Sequence, residues 1–384
     1  MQTALGITPQ HVDFQAHETD YLPSPKPSTL LQKIARIVYN ILSVVIFPIG
    51  LCRLGYWSVR YFVSRMIFQA PLKQAMESSG TKFKEAFLRQ NEGNATSKQI
   101  KTLDGALIDS VEINHPSMEG VGIEKQKYLV FMPGTGGNYE KSLRTFQKMA
   151  NDIGANALVF NYRGVGSSKG CALSSKELVM DGDAVIQYLL DKGIQEENIL
   201  IHGYSLGGAV GAQVAAYHPK VHLCCDRTFS NLTKQAYGFF GEKIARVGAK
   251  LANWMEWRFD SVKNYQAVEG KKWVIFVRAS KKDRELMDAE DSIIAYEASL
   301  YKALKEAAMT LEQMESKKER EALKEQGIDP EKNYDESYKP ERIRIKEIDS
   351  ADCWGENLHC SNLSNFGQAY TKHIELCRQA LFPI

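Results

Sequence analysis

The sequence predicts an α/β protein built around a mostly parallel, doubly wound β-sheet. A strand-like run at 199–201 leads into the pentapeptide Gly-Tyr-Ser-Leu-Gly at 203–207 and then into a helix rich in small residues. From Tyr128 onward, apolar strand-like runs alternate with helical segments of about ten or more residues, as in βαβ units. Glycine-rich loops follow two of these strands, and ligands bind at the carboxyl edge of such sheets.

The composition excludes several classes of protein. The 384 residues carry a net charge of only +2, which argues against nucleic acid as a bulk partner. The seven cysteines form no C-x-x-C pair and no regular framework, so we expect reduced thiols in a cytosol-like compartment. Histidines and cysteines do not have the spacing of a zinc site, and we expect neither a metal nor a cofactor.

The first part of the chain divides into a polar leader and an apolar segment. Residues 1–30 contain four prolines and no basic n-region, which predicts a flexible or extended leader and no cleaved signal peptide. Residues 31–70 form the apolar segment, in which sixteen uncharged residues, 37–52, lie between two arginines. This run is just short of the ~18–20 residues of a plain membrane span.

The apolar segment has two interpretations. Aromatic and basic residues around an apolar centre are typical of a membrane-anchoring or membrane-surface segment. This pattern predicts membrane contact through residues 37–66, either at the membrane surface or as a transmembrane helix. Pro48 and Gly50 allow a bend, and hence a shallow hairpin. The distribution of basic residues then favours a cytoplasmic catalytic domain. The alternative is a helix that only packs on the catalytic domain of a soluble cytoplasmic protein.

The elements that follow build the sheet. Strand-like pieces at 100–103 and 106–113 flank Asp104-Gly105, a strong signal for a two-residue hairpin at a sheet edge. The parallel strands are predicted at Tyr128–Met132, Ala157–Asn161, 199–201, Val221–Cys225 and Trp273–Val277, with a last strand at Arg342–Ile348. Helices are predicted through about Ala150 and around Ser175–Lys192.

The pentapeptide 203–207 predicts a nucleophile. In the G-x-S-x-G pattern between a strand and a helix, the turn holds Ser205 in a strained conformation that exposes its Oγ. Side chains at 203 and 207 would collide with the neighbouring strand and helix. The helix that begins after Ser205 points its first N–H groups at the place where an oxyanion would form.

Two later segments lie outside a minimal α/β core. Residues 234–262 are amphipathic and aromatic, and they form either a cap over the pocket or ordinary helices on the sheet. Residues 299–342 are dense in charge and weak in large apolar residues, which predicts a solvated helical insertion. A lid or a partner-binding arm is the alternative interpretation of this insertion.

Three motifs give the chain a family resemblance. FMPGTGGN, NYRGVGSSKG and HGYSLGG stand in the order and spacing of the α/β-hydrolases, over about residues 100–300 and 340–384. Within that superfamily the whole chain most resembles the chlamydial 43 kDa (CHLPS) proteins of unknown function. The resemblance implies one α/β-hydrolase domain over 71–384.

The resemblance also implies a catalytic site. It assigns the Gly134-Thr135-Gly136 loop to the oxyanion hole, where the N–H of Thr135 would pair with that of Leu206. The acid of the Ser–His–Asp triad is expected at Asp283, with Asp226 as the competitor. The base must follow the final strand, which points to His359, with His373 as its rival. Arg163 either orients the substrate or, more commonly for such an arginine, packs its loop.

These residues predict a serine hydrolase that acts by acyl transfer on a small substrate. The bond would be an ester or thioester with an apolar acyl part, presented at or near a membrane. One alternative is an inactive hydrolase scaffold that binds a membrane or a partner through the apolar segment and the insertion. The other is a serine peptidase on the same fold. The sequence names no protein partner.

Overall fold

The computed structural model describes residues 29–45, 47–75, 80–276, 294, 298–307, 347–349 and 367–383. Eight strands form one sheet: β1 Ala95–Lys101, β2 Leu107–Ile113, β3 Tyr128–Met132, β4 Asn156–Phe160, β5 Ile199–Tyr204, β6 His222–Asp226, β7 Lys272–Phe276 and β8 Glu347–Asp349. The described helices are α1 Leu30–Val45, α2 Phe47–Ile67, α3 Ala70–Ala75, α4 Gly80–Gln90, α5 Leu143–Ile153, α6 Ser175–Asp191, α7 Leu206–Tyr217, α8 Leu232–Trp254, α9 Ser261–Ala267, α10 (300–307) and α11 Gly367–Leu381.

The sheet has the order β1-β2-β4-β3-β5-β6-β7-β8. Strands β1 and β2 pair antiparallel with each other, and β2 pairs antiparallel with β4, whereas the remaining neighbours are parallel. The carboxyl ends of β3 to β7 therefore meet at one edge of the sheet. The predicted α/β architecture with a mostly parallel sheet is confirmed.

Both faces of the sheet are covered by helices. Ile199 and Ile201 of β5 point into a core shared with α6 and α7, while Leu200 between them packs into a second core with α5 and α11. This alternation follows from the two-residue period of a strand, and it requires apolar residues at successive positions of β5. The predicted doubly wound arrangement is confirmed.

The antiparallel hairpin at the sheet edge is also confirmed. Lys101 pairs with Leu107 across the turn, and Gly105 has φ +91°, a conformation that glycine adopts without strain. The β1 strand begins at Ala95, five residues earlier than predicted, because the hairpin continues in register until Ala95 pairs with Ile113.

Residues 30–67 form two helices that fold back on each other. The guanidinium of Arg53 lies 4.9 Å from the ring centroid of Tyr39, although fourteen residues of straight helix would separate the two by ~21 Å. The two helices therefore run back along each other, which fits the bend that Pro48 and Gly50 allow. Within the described residues no helix is both long and apolar enough to cross a membrane, so the expectation of a transmembrane helix is not met there.

The end of α2 packs on the α/β domain. The hydroxyl of Ser64 donates to the carbonyl oxygen of Ala172, and Arg60 donates to that of Leu173 at 3.3 Å. Phe68, just after the helix, is fully buried and makes an edge contact with Tyr162 at 5.8 Å between ring centroids. The packing interpretation of this segment therefore holds for its carboxyl-terminal end.

The segment predicted as a cap or as ordinary helices, 234–262, is helical over most of its length. It divides into α8 and α9, because Glu256 has φ +63° and the side chain of Asp260 accepts from the N–H of Lys263 to begin α9. The leader 1–28, most of the charged insertion 299–342, and the predicted residues Asp283 and His359 lie outside the described residues.

Candidate active site

Ser205 occupies a strained turn between β5 and α7. Its backbone has φ +54° and ψ −119°, a region that residues other than glycine rarely adopt. The Ser205 N–H donates to the carbonyl oxygen of Asp226 at 2.9 Å, and the Ser205 carbonyl oxygen accepts from Gly208 N–H at 3.0 Å. These bonds to β6 and α7 hold the turn in place, as a nucleophile elbow requires.

The glycines around Ser205 are needed because backbone atoms crowd each of them. A Cβ on Gly203 would lie 2.4 Å from the carbonyl oxygen of Gly207, and a Cβ on Gly207 would lie 2.0 Å from that of Met132. Real Cβ atoms do not approach backbone this closely. The predicted collision at both positions is therefore confirmed, and the sequence pattern follows from it.

The glycine loop after β3 lies against the elbow. A Cβ on Gly134 would lie 3.2 Å from the Cβ of Ser205 and 3.0 Å from the ring of Tyr204. Thr135 follows in the same loop, and Leu206 is the first residue of α7. The structure thus brings the loop of Thr135 next to Ser205 and Leu206 at the carboxyl edge of the sheet.

The segment after α2 is bonded to the same loop. The N–H groups of Gln69 and Ala70 both donate to the carbonyl oxygen of Thr135, at 2.9 and 2.7 Å. The hydroxyl of Thr135 donates in return to the carbonyl oxygen of Ile67. We call these three bonds the Thr135 clamp. No local motif in the sequence indicates it, because its two sides are more than sixty residues apart.

Arg163 packs its own loop. Its Nε donates to Asp181 at 2.8 Å, and its terminal nitrogens donate to Asp104 at 2.6 and 3.0 Å. Burial opposes the charged form of Arg163, but the charges of Asp181 and Asp104 and their hydrogen bonds together outweigh burial and raise the pKa of the guanidinium. The guanidinium is thus fully engaged with two carboxylates, which is the packing role that the sequence favours.

Asp226, the competing candidate for the triad acid, is engaged in the protein interior. Arg227 donates to both of its carboxylate oxygens, at 2.7 and 2.9 Å, and Nε2 of His202 lies 3.4 Å from Oδ2. Burial alone would raise the pKa of Asp226, but the charge of Arg227 and the hydrogen bonds hold it well below its usual range. Both oxygens therefore have partners other than a catalytic histidine.

His373, the rival for the catalytic base, belongs to the same interior group. The indole Nε1–H of Trp273 donates to its Nδ1 at 3.2 Å, which leaves the proton on Nε2. That Nε2–H faces Nδ1 of His202 at 3.3 Å, so the Nε2–H of His202 faces Asp226. We call these four residues the core chain. His373 is fully buried, and its pKa lies well below the usual range because of burial and the nearby His202.

Two histidines of the core chain lie close enough to Cys224 to resemble the ligands of a metal site. Ligand atoms of His202, Cys224 and His373 lie within 4.8 Å of one another. A metal ion on Nε2 of His373 would require the proton on Nδ1, where it would face the indole N–H of Trp273. Burial also raises the pKa of the Cys224 thiol, which favours its protonated form. The hydrogen bonds of the core chain thus already use the ring nitrogens that a metal ion would need.

The sequence-predicted site residues divide into two sets. Ser205, Leu206 and Thr135 lie together at the carboxyl edge of the sheet. Asp283 and His359 lie outside the described residues, beyond the ends of β7 and β8 respectively. Both strands are parallel to β6 and end at the same edge as Ser205.

The family model described as "Chlamydia CHLPS protein (DUF818)" matches residues 14–336. A multifunctional-autoprocessing repeats-in-toxin protein of Vibrio cholerae is 25% identical over 63% of this chain and 6% of its own length. The α/β-hydrolase domain-containing protein WAV2 of Arabidopsis thaliana is 31% identical over 28% of this chain and 36% of its own length.

A solved esterase of Pyrobaculum calidifontis is similar with a TM-score of 0.46 and 14% identity, over 81% of this chain and 92% of that one. The chain spans well under two thirds of the length of the curated relatives named above. The family match, in contrast, covers most of this chain and includes the loop of Thr135 and the elbow of Ser205. The chain therefore belongs to the Chlamydia CHLPS protein (DUF818) family and has the α/β-hydrolase fold.

Proposed function

We propose that the protein is a serine hydrolase that cleaves an ester-type bond with Ser205 as its nucleophile. The observation that carries this proposal is the backbone of Ser205, which has a positive φ at the carboxyl edge of a parallel sheet. Holding a serine in this conformation costs of order 1–3 kcal/mol. Further support comes from the glycine loop that lies against the same serine, because backbone N–H groups of such a loop can stabilise an oxyanion.

The proposed reaction is an acyl transfer in two halves. His359 accepts the Ser205 hydroxyl proton as Oγ attacks the acyl carbon, and it then passes that proton to the leaving alcohol or thiol. The N–H groups of Thr135 and Leu206 stabilise the oxyanion. Water attacks the acyl-enzyme, and its proton returns through His359 to Ser205 as the acid leaves. Asp283 orients the imidazole and stabilises its charged form.

Asp283 is proposed as the acid rather than Asp226. In support, the Asp226 carboxylate is bound to Arg227 and adjoins His202, so its use as the acid would break a buried ion pair. Similarly, His359 is preferred to His373, whose two ring nitrogens both have partners in the core chain.

We propose an ester or thioester with an apolar acyl part as the substrate, presented at or near a membrane. Support comes from the exposed apolar side chains of α1 and α2, which lie on the same segment that holds the loop of Thr135. An inactive scaffold and a serine peptidase are the competing functions. No observation favours the scaffold or the peptidase over the hydrolase.

The test is covalent labelling of the full-length protein by a fluorophosphonate probe, in which Ser205 Oγ displaces fluoride from phosphorus. We expect labelling of the wild type, none in Ser205→Ala, and sharply slower labelling in His359→Ala and Asp283→Ala. Folding of each variant is checked by its thermal transition. A well-folded wild type that does not label would contradict the proposal and favour the scaffold, and a panel of ester, thioester and peptide substrates separates the hydrolase from the peptidase.

A further inference from the structure

The two N-terminal helices carry most of the exposed apolar surface that the structure describes. Fifteen of the twenty-three exposed large hydrophobic side chains lie on α1 and α2. On α1 four of them, Ile34, Ile37, Val38 and Ile41, follow the i, i+3, i+4, i+7 spacing of one helix face. A contiguous face of this kind on a folded protein marks an interaction surface.

The charges of the same helices are of one sign. Together α1 and α2 contain five basic residues and no acidic residue, whereas the whole chain contains 46 acidic residues. Two of the five are engaged with the α/β domain, since Arg60 pairs with Glu256 at 2.8 Å and Arg65 is buried. The other three are Lys33 and Arg36 of α1 and Arg53 of α2.

Aromatic residues complete the pattern on α2. Tyr56, Trp57 and Tyr61 are exposed, and the rings of Trp57 and Tyr61 stack with 5.3 Å between centroids. A helix pair with exposed apolar and aromatic side chains, basic residues and no acidic residues matches the boundary between headgroups and acyl chains of a bilayer. An acidic protein partner would match the charges, but not so wide an apolar surface around them.

From this charge and apolar pattern we infer that α1 and α2 form a docking surface for an anionic lipid bilayer. The helix pair lies in the headgroup region, with the α1 face of Ile37 and Ile41 inserted and the basic residues against lipid phosphates. The Thr135 clamp then fixes the position of this surface relative to the glycine loop at Ser205. This arrangement would deliver a substrate from the bilayer to Ser205. Only that delivery rests on the proposed hydrolase function.

The test uses the exposed free thiol of Cys52, on α2, as the attachment site of an environment-sensitive fluorophore. The labelled full-length protein is titrated with vesicles of phosphatidylcholine alone or with roughly one third phosphatidylglycerol. A Cys52→Ser protein treated in the same way gives the background from other thiols. We expect a blue shift and higher intensity with the anionic vesicles, and a much weaker response with the neutral ones or at high salt.

Two pairs of substitutions separate the apolar and the charged contributions. Ile37→Ser with Ile41→Ser should weaken vesicle binding at least tenfold, because two inserted side chains are lost. Lys33→Gln with Arg36→Gln should weaken it about 30-fold on anionic vesicles only. The matched control is Phe83→Ser with Leu103→Ser, whose side chains are 54% and 55% exposed against 57% and 58% for the isoleucines, and it should bind normally.

The vesicle-binding results do not depend on whether the protein turns over a substrate. Equal binding to both kinds of vesicle, or no response of the Cys52 probe to either, would overturn the inference while leaving labelling of Ser205 intact. Concentration-dependent self-association without vesicles, lost in the Ile37→Ser and Ile41→Ser variant, would assign the surface to a second copy of the chain instead. Absence of Ser205 labelling together with normal vesicle binding would refute the hydrolase and keep the docking surface.

Discussion

The backbone N–H of Ala70 donates a hydrogen bond of 2.7 Å to the carbonyl oxygen of Thr135. Gln69 donates to the same oxygen, and Thr135 donates its hydroxyl to Ile67. A loop that we propose as part of an oxyanion hole is therefore fixed from outside the α/β domain, by the end of α2 and the residues that follow it. Oxyanion donors act through preorganisation, so the clamp should influence catalysis directly.

Thr135→Val should lower kcat about tenfold with little change in KM. The substitution keeps the branched shape and the proposed N–H donor but removes the hydroxyl bond to Ile67, at a cost of about 1 kcal/mol in the free energy of unfolding. Steady-state kinetics on a short-chain ester measures the effect. Thr102→Val is the matched control, because Thr102 also uses its hydroxyl, at the β1–β2 turn. If both variants lose stability and neither loses kcat, the clamp has no role in positioning.

Gly207→Ala should prevent stable folding or cost about 4 kcal/mol or more in the free energy of unfolding. Its Cβ would meet the carbonyl oxygens of Met132 and Pro133 at 2.0 and 2.6 Å, and backbone at the elbow has no room to move. Gly248→Ala, at an exposed position of α8 with nothing within 4 Å, should instead stabilise by about 0.5–1 kcal/mol. Chemical denaturation of both variants measures the difference, and similar values for the two would contradict the crowded elbow.

His373→Phe should reduce stability but not the chemistry at Ser205. The substitution leaves the buried indole N–H of Trp273 and Nδ1 of His202 without their partner, which costs about 2–4 kcal/mol. Fluorophosphonate labelling, measured at a temperature where the variant is folded, should stay near the wild-type rate. His359→Ala should show the opposite result, with normal stability and slow labelling. Lost labelling in a folded His373→Phe protein would transfer the role of base to His373.

His218 should make stability depend on pH near neutrality. Burial lowers its pKa, but Asp183 at 2.9 Å from Nε2 and Glu196 at 3.4 Å from Nδ1 outweigh burial and raise the pKa above 6.5. The folded state then holds the proton more tightly than the unfolded chain. The stabilisation is fully present below the unfolded pKa and is lost as the pH rises through the folded pKa.

The measurement for His218 is the difference in thermal transition between the wild type and His218→Gln. We expect the variant to be less stable than the wild type at pH 6 and nearly equal to it at pH 9. A difference that stays the same at both pH values would show that the histidine acts by packing alone.

The parts of the fold that local sequence determines were predictable. The bounds of β3 match the prediction residue for residue, and the Asp104-Gly105 turn joins the two strands that it indicates. The elbow of Ser205 was predictable for the same reason, since a strand, crowded glycines and a helix occur within one short stretch. Each of these signals lies within a few residues of the feature it predicts.

The long-range contacts were not predictable. His202 and His373 are separated by 171 residues, and no pattern in either segment indicates that their rings are hydrogen-bonded to each other. The sequence offers His373 as a catalytic rival because it can place a histidine on the last helix but cannot say which face of the sheet that helix covers. The Thr135 clamp was missed in the same way, because its bonds join backbone groups and depend on the path of the chain.

The core chain has a consequence for how the protein is made. The face of β5 and β6 that holds His202 and Cys224 is covered by α11, which begins about 140 residues after β6 ends. At a synthesis rate of about 5–20 residues per second, this face remains uncovered for roughly 7–28 s during synthesis. The apolar helices α1 and α2 emerge even earlier, before the domain on which they pack. Nascent chains should therefore depend on chaperones, and the interval between β6 and α11 is where misfolding is most costly.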